Sequence, residues 1–248
     1  MNTKILSFMK LKNITFTGID AMSDIKALEE IQHEFPIVEF GVLTSYHWDE
    51  NGNRYLDPEM MNHLRGSGLH LALHICGSAA HDAAVREWEK IDALTLGNLG
   101  IFDRVQLNLA ARSDNPEYCW IPWVYGQELI VQQRGRDDIG LFERTLKEWR
   151  GAPYPHRDTI SVLLDASGGR GIDTPIDILE TKEKVGYAGG FSPENVGEKL
   201  YQLLTSPKVG DFWIDMESGV RTDDWFDTEK VLRVLRICKE VMRDCKEL

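Results

Sequence analysis

The sequence lacks several features that would assign it to a common functional class. It has no apolar stretch of about 20 residues, which a membrane-spanning helix requires, and no run of Lys and Arg typical of nucleic-acid-binding proteins. With 28 basic and 40 acidic residues, its formal net charge of −12 would repel phosphate backbones. The N-terminus has no small-residue cleavage site after its short apolar run. We therefore expect a cytoplasmic protein without nucleic-acid or membrane partners.

Cysteine is also scarce. The 248 residues include four Cys without C-x-x-C spacing, which argues against a structural zinc site or a disulfide-exchange motif. A hydrophobic share of 42% with 27% charged residues is instead typical of a globular chain with a sizeable core. No linker, repeat or low-complexity tract stands out, so we predict a single domain over residues 1–248.

Short apolar runs alternate with helical patterns, which is typical of a parallel sheet built from βαβ units. We predict eight strands, at Asn13–Thr17, Ile37–Leu43, His70–Ile75, Arg104–Leu109, Glu128–Gln132, Ile160–Asp165, Gly186–Gly189 and Asp211–Met216. We predict helices at Ser23–Glu34, Pro58–Arg65, Ser78–Lys90, Asn115–Val124, Asp138–Trp149, Pro175–Glu183, Pro193–Leu204 and Asp227–Cys245. Ser23 and Ser78 are predicted N-caps, and Pro58 and Pro193 are predicted to occupy first helical positions.

The strands carry polar side chains on one face, mostly toward their carboxyl ends. Successive side chains of a strand point to opposite faces, so one face is apolar and the other converges as a polar set. The polar set comprises Thr15, Thr17, Glu39, His74, Gln106, Asn108, Asp165 and Asp215. In an open sheet both faces are covered by helices, whereas in a closed barrel one face opens into a solvent-filled mouth. We therefore predict an α/β fold, a single (β/α)8 TIM barrel.

Glycine turns follow the last three strands. The seventh strand runs into Gly189-Gly190 before a helical segment, and the eighth ends at Ser218-Gly219. Glycines let backbone N–H groups approach a ligand closely, and barrels often hold a phosphate in the loops after strands seven and eight. The sixth strand ends in Asp165, followed by a loop in which Gly168 and Gly169 offer further amides and Arg170 adds a positive charge. We predict a phosphate-binding site here, although Asp165 could alternatively cap its own loop.

Read in order, LLDASGGRG, YAGGFSPENV and WIDMESGV…FDTEKV resemble motifs of phosphoribosylanthranilate isomerase, a barrel enzyme of tryptophan biosynthesis. The ordered match covers about the last ninety residues, and VQLNLA around Gln106 is similar to the family's VQLHG. The resemblance implies an Amadori rearrangement of a phosphorylated ribosylamine without a cofactor. It also implies that Asp165 is the general acid, that Asp215 and Gln106 contact substrate, and that the glycine turns bind a small phosphorylated sugar.

Two residue types of that family are missing. The family ends its first strand in K-I-C-G with Cys as the base, whereas this chain has Thr15-Phe16-Thr17-Gly18, and a hydroxyl has no accessible anion near neutral pH. Asp20 and Glu39 are the candidate replacements. The family's arginine after the second strand is absent too, and Arg54 could substitute for it only with a different geometry. We therefore expect a changed substrate or a changed reaction.

Two alternatives remain open. A metal-dependent sugar-phosphate epimerase would set ligands on several strands, as His74, Glu39, Asp165 and Asp215 could. This reading has little support, because we expect one inward histidine and place Cys76 on the opposite face, and we predict no metal. The second alternative is a non-catalytic barrel that binds a sugar phosphate. Loss of the base Cys favours it, and retention of Asp165 argues against it. No oligomeric state is predicted.

Overall fold

Eight parallel strands close into a barrel in the order in which they occur along the chain. The computed structural model describes residues 10–48, 52–85, 87–109, 127–133 and 160–245. The strands are β1 Leu11–Thr17, β2 Val38–Thr44, β3 Leu71–Cys76, β4 Arg104–Asn108, β5 Glu128–Gln133, β6 Ile160–Asp165, β7 Val185–Ala188 and β8 Phe212–Met216. Each predicted strand is present with its bounds shifted by at most two residues, and β8 pairs with β1 to complete the ring. The predicted barrel is confirmed.

Helices pack around this ring. They are α1 Ile25–Glu34, α2 Pro58–Leu64, α3 Gly77–Ala84, α4 Trp88–Leu94, α5 Val196–Thr205 and α6 Thr228–Asp244. A two-stranded hairpin, β9 Arg221–Thr222 and β10 Trp225–Phe226, follows β8. The predicted helices Asn115–Val124 and Asp138–Trp149 lie outside the described residues. No helix within the described ranges is long and apolar enough to cross a membrane.

Several helix starts differ from the prediction. The N-cap of α1 is Asp24, which accepts the Lys26 N–H at 3.0 Å, whereas Ser23 bonds to Asp20. The predicted helix from Ser78 to Lys90 is split into α3 and α4, and the N-cap of α3 is Cys76. Asp57 does cap α2, with Pro58 in its first turn as predicted.

The C-terminal connections also differ in part. Pro193 lies in a turn before α5, which begins three residues later at Val196. No helix forms over Pro175–Glu183. In this segment Ile176, Ile178 and Leu179 pack against the core, and Thr181 forms a β-bridge with Val209. Apolar residues two apart suit an extended chain better than a helix, which explains the difference.

The main core lies between the ring of strands and the helices. It is formed by the outward strand residues, such as Phe16, Phe40 and Ile214, which are fully buried. A second cluster of buried side chains, Ile130, Leu163 and Trp213, lies apart from this core, and the guanidinium of Arg104 is 4.7 Å from the Trp213 ring centroid.

Candidate active site

A cavity of about 320 Å³ lies at the carboxyl ends of the barrel strands. Barrels of this class hold their active sites at this end. The polar strand-end side chains that line the cavity are Thr17, His74, Cys76, Gln106, Asn108, Gln132, Asp165 and Asp215. Of the predicted site residues, the following also line it: Gly169, Gly189, Gly190, Ser218 and Gly219. Asp20, Glu39 and Gly168 do not.

The glycine turns after β7 and β8 form one side of the cavity. Gly190 has a φ of +65°, and a Cβ there would clash with the backbone of Ile172. A Cβ at Gly219 would clash with the carbonyl oxygen of Phe191. The two loops can therefore pack this closely only with glycine at these positions. None of the amides of Gly189, Gly190, Ser218 and Gly219 donates to an acceptor among the described residues.

A buried lysine supports these turns from behind. Lys199, on α5, is 7% exposed, and its Nζ donates to the carbonyl oxygen of Gly189 at 2.7 Å. The same Nζ lies 2.7 Å from Asp173 Oδ1 and 5.1 Å from the ring centroid of Phe191. One ammonium group thus joins the loops that follow β6 and β7.

Asp165 organises the loop after β6. Its Oδ1 accepts the Ser167 N–H at 2.9 Å and the Ser167 hydroxyl at 2.7 Å. Its Oδ2 accepts the amide of Gln132 at 2.8 Å and the Gly169 N–H at 2.5 Å. The Gly168 N–H donates to the Asp165 carbonyl oxygen at 3.0 Å. The amides of Gly168 and Gly169 therefore have acceptors within the loop, and their role as phosphate donors stays a prediction.

Asp215, near the end of β8, is a buried carboxyl group that lines the cavity. Burial raises the pKa of Asp215 from 3.8 to about 7, against the opposing effect of a hydrogen bond from the Thr17 hydroxyl at 2.7 Å. Glu217, two residues later, also lines the cavity, and burial raises its pKa above its ordinary range. Asp215 can therefore change its protonation state near neutral pH.

The two carboxylates considered as replacement bases lie elsewhere. Glu39 is 2% exposed below the cavity, where its Oε2 accepts the Arg104 Nε–H at 2.7 Å. Asp20 pairs with Arg221 at 3.0 Å and accepts the Phe226 N–H at 2.7 Å. Both groups complete buried ion pairs, and neither lines the cavity. The sequence places them near strand ends, but their tertiary partners decide their orientation.

The side chains at the ends of β3 and β4 form one wall of the cavity, which consists of His74, Cys76, Gln106 and Asn108. Gln106, a predicted substrate contact, has its Nε2 3.2 Å from His74 Nδ1. Cys76 lines the same wall and accepts the Asn108 side-chain amide at 3.2 Å. The assignment of Cys76 to the opposite face was therefore wrong. His74 and Cys76 are two residues apart, and the two-residue repeat of a strand places them on one face.

Arg54 lines the cavity from the loop after β2. Its guanidinium pairs with Glu217 and with Asp224, each at 2.8 Å. Both ends of the guanidinium fork therefore already contact carboxylates.

The metal alternative lacks a ligand set in the part of the chain that is described. No three His, Cys, Asp or Glu side chains come close enough there to hold an ion. Glu39, one of its four candidate ligands, pairs with Arg104 instead.

Comparison with protein-family models gives no match, and comparison with curated proteins also gives none. Solved structures do match. N-(5'-phosphoribosyl)anthranilate isomerase from Pyrococcus furiosus has a TM-score of 0.50 and 18% identity, over 92% of this chain and 98% of that chain. Phosphoribosyl anthranilate isomerase from Thermococcus kodakaraensis has a TM-score of 0.51 at the same identity and coverage. The chain therefore shares the barrel fold of these enzymes.

Proposed function

We propose that this chain is a sugar-phosphate isomerase that catalyses an Amadori-type rearrangement of a phosphorylated ribosylamine. One observation carries the proposal. A single cavity combines glycine-turn amides that have no acceptor among the described residues, on one side, with the carboxyl groups of Asp165 and Asp215. The similarity in fold to two phosphoribosylanthranilate isomerases supports the same reaction type.

The phosphate group would bind at Gly189-Gly190 and Ser218-Gly219. Backbone N–H groups bind anions whatever the net charge of the protein, because their partial charges act over a short distance. Arg170 lines the cavity and adds a positive charge at the loop after β6. A small phosphorylated sugar is the ligand that best suits this arrangement and the cavity volume.

In the proposed reaction, Asp165 protonates the furanose ring oxygen as the C1–O bond breaks, and the nitrogen lone pair forms a C1=N iminium ion. Asp215 then removes the proton from C2. The C2–H electron pair forms the C1=C2 bond, and the π pair of C1=N returns to nitrogen. The enolamine loses its enol proton, gains a proton at C1 and becomes the ketone. A base with a pKa of about 7 suits proton abstraction near neutral pH.

The direct test combines binding with turnover. Ribose 5-phosphate condenses with an aromatic amine, either anthranilate or the uncharged 2-aminobenzamide, to give two candidate substrates, whose rearrangement is followed by fluorescence. We expect turnover by the wild-type chain and a loss of at least about a hundredfold in Asp165→Asn and Asp215→Asn, which is typical when a general acid or base is removed. Asp211→Asn is the matched control, since Asp211 is 51% exposed and lies before β8. Failure of ribose 5-phosphate to raise the melting temperature would contradict the phosphate site.

A non-catalytic barrel that binds a sugar phosphate is the second candidate. The four hydrogen bonds accepted by Asp165 favour it, because a carboxylate committed to its own loop can serve structure alone. Thr17, at the position of the family's Cys, favours it too. This candidate predicts a thermal shift with ribose 5-phosphate and no rearrangement of any ribosylamine.

A further inference from the structure

The wall on β3 and β4 lies opposite the glycine turns. In a closed ring of eight strands, β3 lies four strands from β7, and β4 lies four strands from β8. A ligand whose phosphate binds at the glycine turns therefore directs its other end toward this wall. His74 and Gln106, which are each 2% exposed, and the partly buried Asn108 and Cys76 line the cavity there.

The hydrogen bonds of this wall run in one direction. The Asn108 side-chain N–H donates to Cys76 Sγ, so Asn108 Oδ1 is the acceptor for Gln106 Nε2 at 2.9 Å. The amide nitrogen of Gln106 is thereby fixed toward Asn108 and His74, and its Oε1 lies on the other side of the amide group. This Oε1 has no hydrogen-bond partner among the described residues.

The same network sets the tautomer of His74. The second proton on Gln106 Nε2 is directed at Nδ1, 3.2 Å away, so Nδ1 accepts and Nε2 carries the hydrogen. Burial, with a smaller effect of Arg104, lowers the pKa of His74 to about 3, so the ring is neutral. Nε2 has no partner within the described residues either. The wall thus contains one buried donor and one buried acceptor without a partner among the described residues, in two side chains that line the cavity.

A carboxylate would fit this wall poorly. Its oxygen atoms would meet the lone pairs of Gln106 Oε1, and the nearby guanidinium of Arg54 already pairs with Glu217 and Asp224. An uncharged group that both accepts and donates would satisfy His74 and Gln106 together. A site built in this way discriminates strongly, because the wrong ligand leaves buried polar groups unpaired.

We infer that His74 and Gln106 bind the end of the substrate remote from its phosphate, and that this end carries an uncharged group, a carboxamide or hydroxyl, rather than a carboxylate. The inference rests on the proposed function, in which the substrate is a phosphorylated ribosylamine, and it specifies the chemical class of that substrate's amine portion. The chain would then act on a ribosylamine whose amine portion differs in charge from anthranilate.

Two matched ligands test this inference on the wild-type chain. Reductive amination of ribose 5-phosphate with 2-aminobenzamide and with 2-aminobenzoate gives stable adducts that differ only in carboxamide against carboxylate. We expect the carboxamide adduct to bind at least about tenfold more tightly in titration calorimetry. Equal or tighter binding of the carboxylate adduct would overturn the inference.

Ribitol 5-phosphate separates this inference from the proposed function. If it binds but the two adducts bind equally, the inference fails and the phosphate site stands. If it does not bind, the proposed function fails and the inference with it.

A substitution of Gln106 tests whether the wall causes the preference for the carboxamide adduct. Gln106→Leu should reduce the affinity ratio of the two adducts to about twofold or less, while Gln202→Leu, on the exposed side of α5, should leave it unchanged. A circular-dichroism melting curve checks that each variant is folded. Retention of the full ratio in folded Gln106→Leu would remove Gln106 from this role.

Discussion

Asp215 is predicted to lower the stability of the protein at neutral pH. Its carboxyl group is 6% exposed, and burial raises its pKa from 3.8 to about 7. Below about pH 4 the group is protonated in both the folded and the unfolded state. Between about pH 4 and 7 the unfolded state ionises while the folded state retains its proton, so stability falls as pH rises. Above pH 7 the loss is complete.

The size of this loss follows from the two pKa values. One pKa unit corresponds to about 1.4 kcal/mol, so the rise from 3.8 to about 7 corresponds to roughly 4 kcal/mol. Asp215→Asn removes the titration and keeps an oxygen that can accept the hydroxyl hydrogen bond of Thr17. The variant should therefore be more stable than wild type by up to roughly 4 kcal/mol at pH 8 and about equal to it at pH 4, while losing the proposed proton-transfer activity.

Urea unfolding between pH 4 and 8, followed by tryptophan fluorescence, measures this difference. Only the difference in unfolding free energy between variant and wild type is interpreted, because other groups titrate in both proteins. Asp211→Asn, at an exposed position, controls for the loss of one negative charge. A difference that is constant across this pH range would refute the buried, protonated carboxyl group.

Three further outcomes are expected. Arg104→Met leaves the buried carboxylate of Glu39 without its ion-pair partner and should lower the free energy of unfolding, measured in urea, by about 3–5 kcal/mol. A loss below about 1 kcal/mol would contradict the buried ion pair. Lys199→Met removes the ammonium group that donates to the Gly189 carbonyl oxygen, and it should weaken ribose 5-phosphate binding about tenfold while changing kcat little. Calorimetry measures the Kd and steady-state kinetics measure kcat and KM. An unchanged Kd and KM would show that Lys199 does not position the turn. Ribose 5-phosphate should slow the alkylation of Cys76 by iodoacetamide, measured by mass spectrometry, and unprotected labelling would place the ligand elsewhere.

The strands could be predicted because two independent signals coincide in them. In β4, Val105 and Leu107 place apolar side chains on the outer face, and Gln106 and Asn108 place polar side chains on the inner face. A barrel whose interior opens to water at one end requires this alternation. The segment over Pro175–Glu183 carries a helix start signal without a consistent helical period, and its β-bridge to Val209 arises from a residue distant in sequence. Local propensity is a weak guide where a tertiary contact competes with it.

The lining of the cavity was predictable in part from the sequence. Asp165, Asp215, Gln106 and the glycine turns were found from strand ends and from motif order, and all line the cavity. Cys76 could have been found from its spacing to His74 alone, by counting two residues along the strand.

By itself, the sequence determined the ring of eight strands and the polar content of its mouth, because both depend on patterns that repeat every two residues along one strand. Only the tertiary structure decided which partner each of these polar groups has. The carboxylates of Glu39 and Asp20 meet arginines 65 and 201 residues away, whereas the buried carboxyl group of Asp215 accepts a hydrogen bond from the Thr17 hydroxyl. The charge and proton affinity of a carboxyl group depend on neighbours that closure of the barrel brings together, and no local pattern records them.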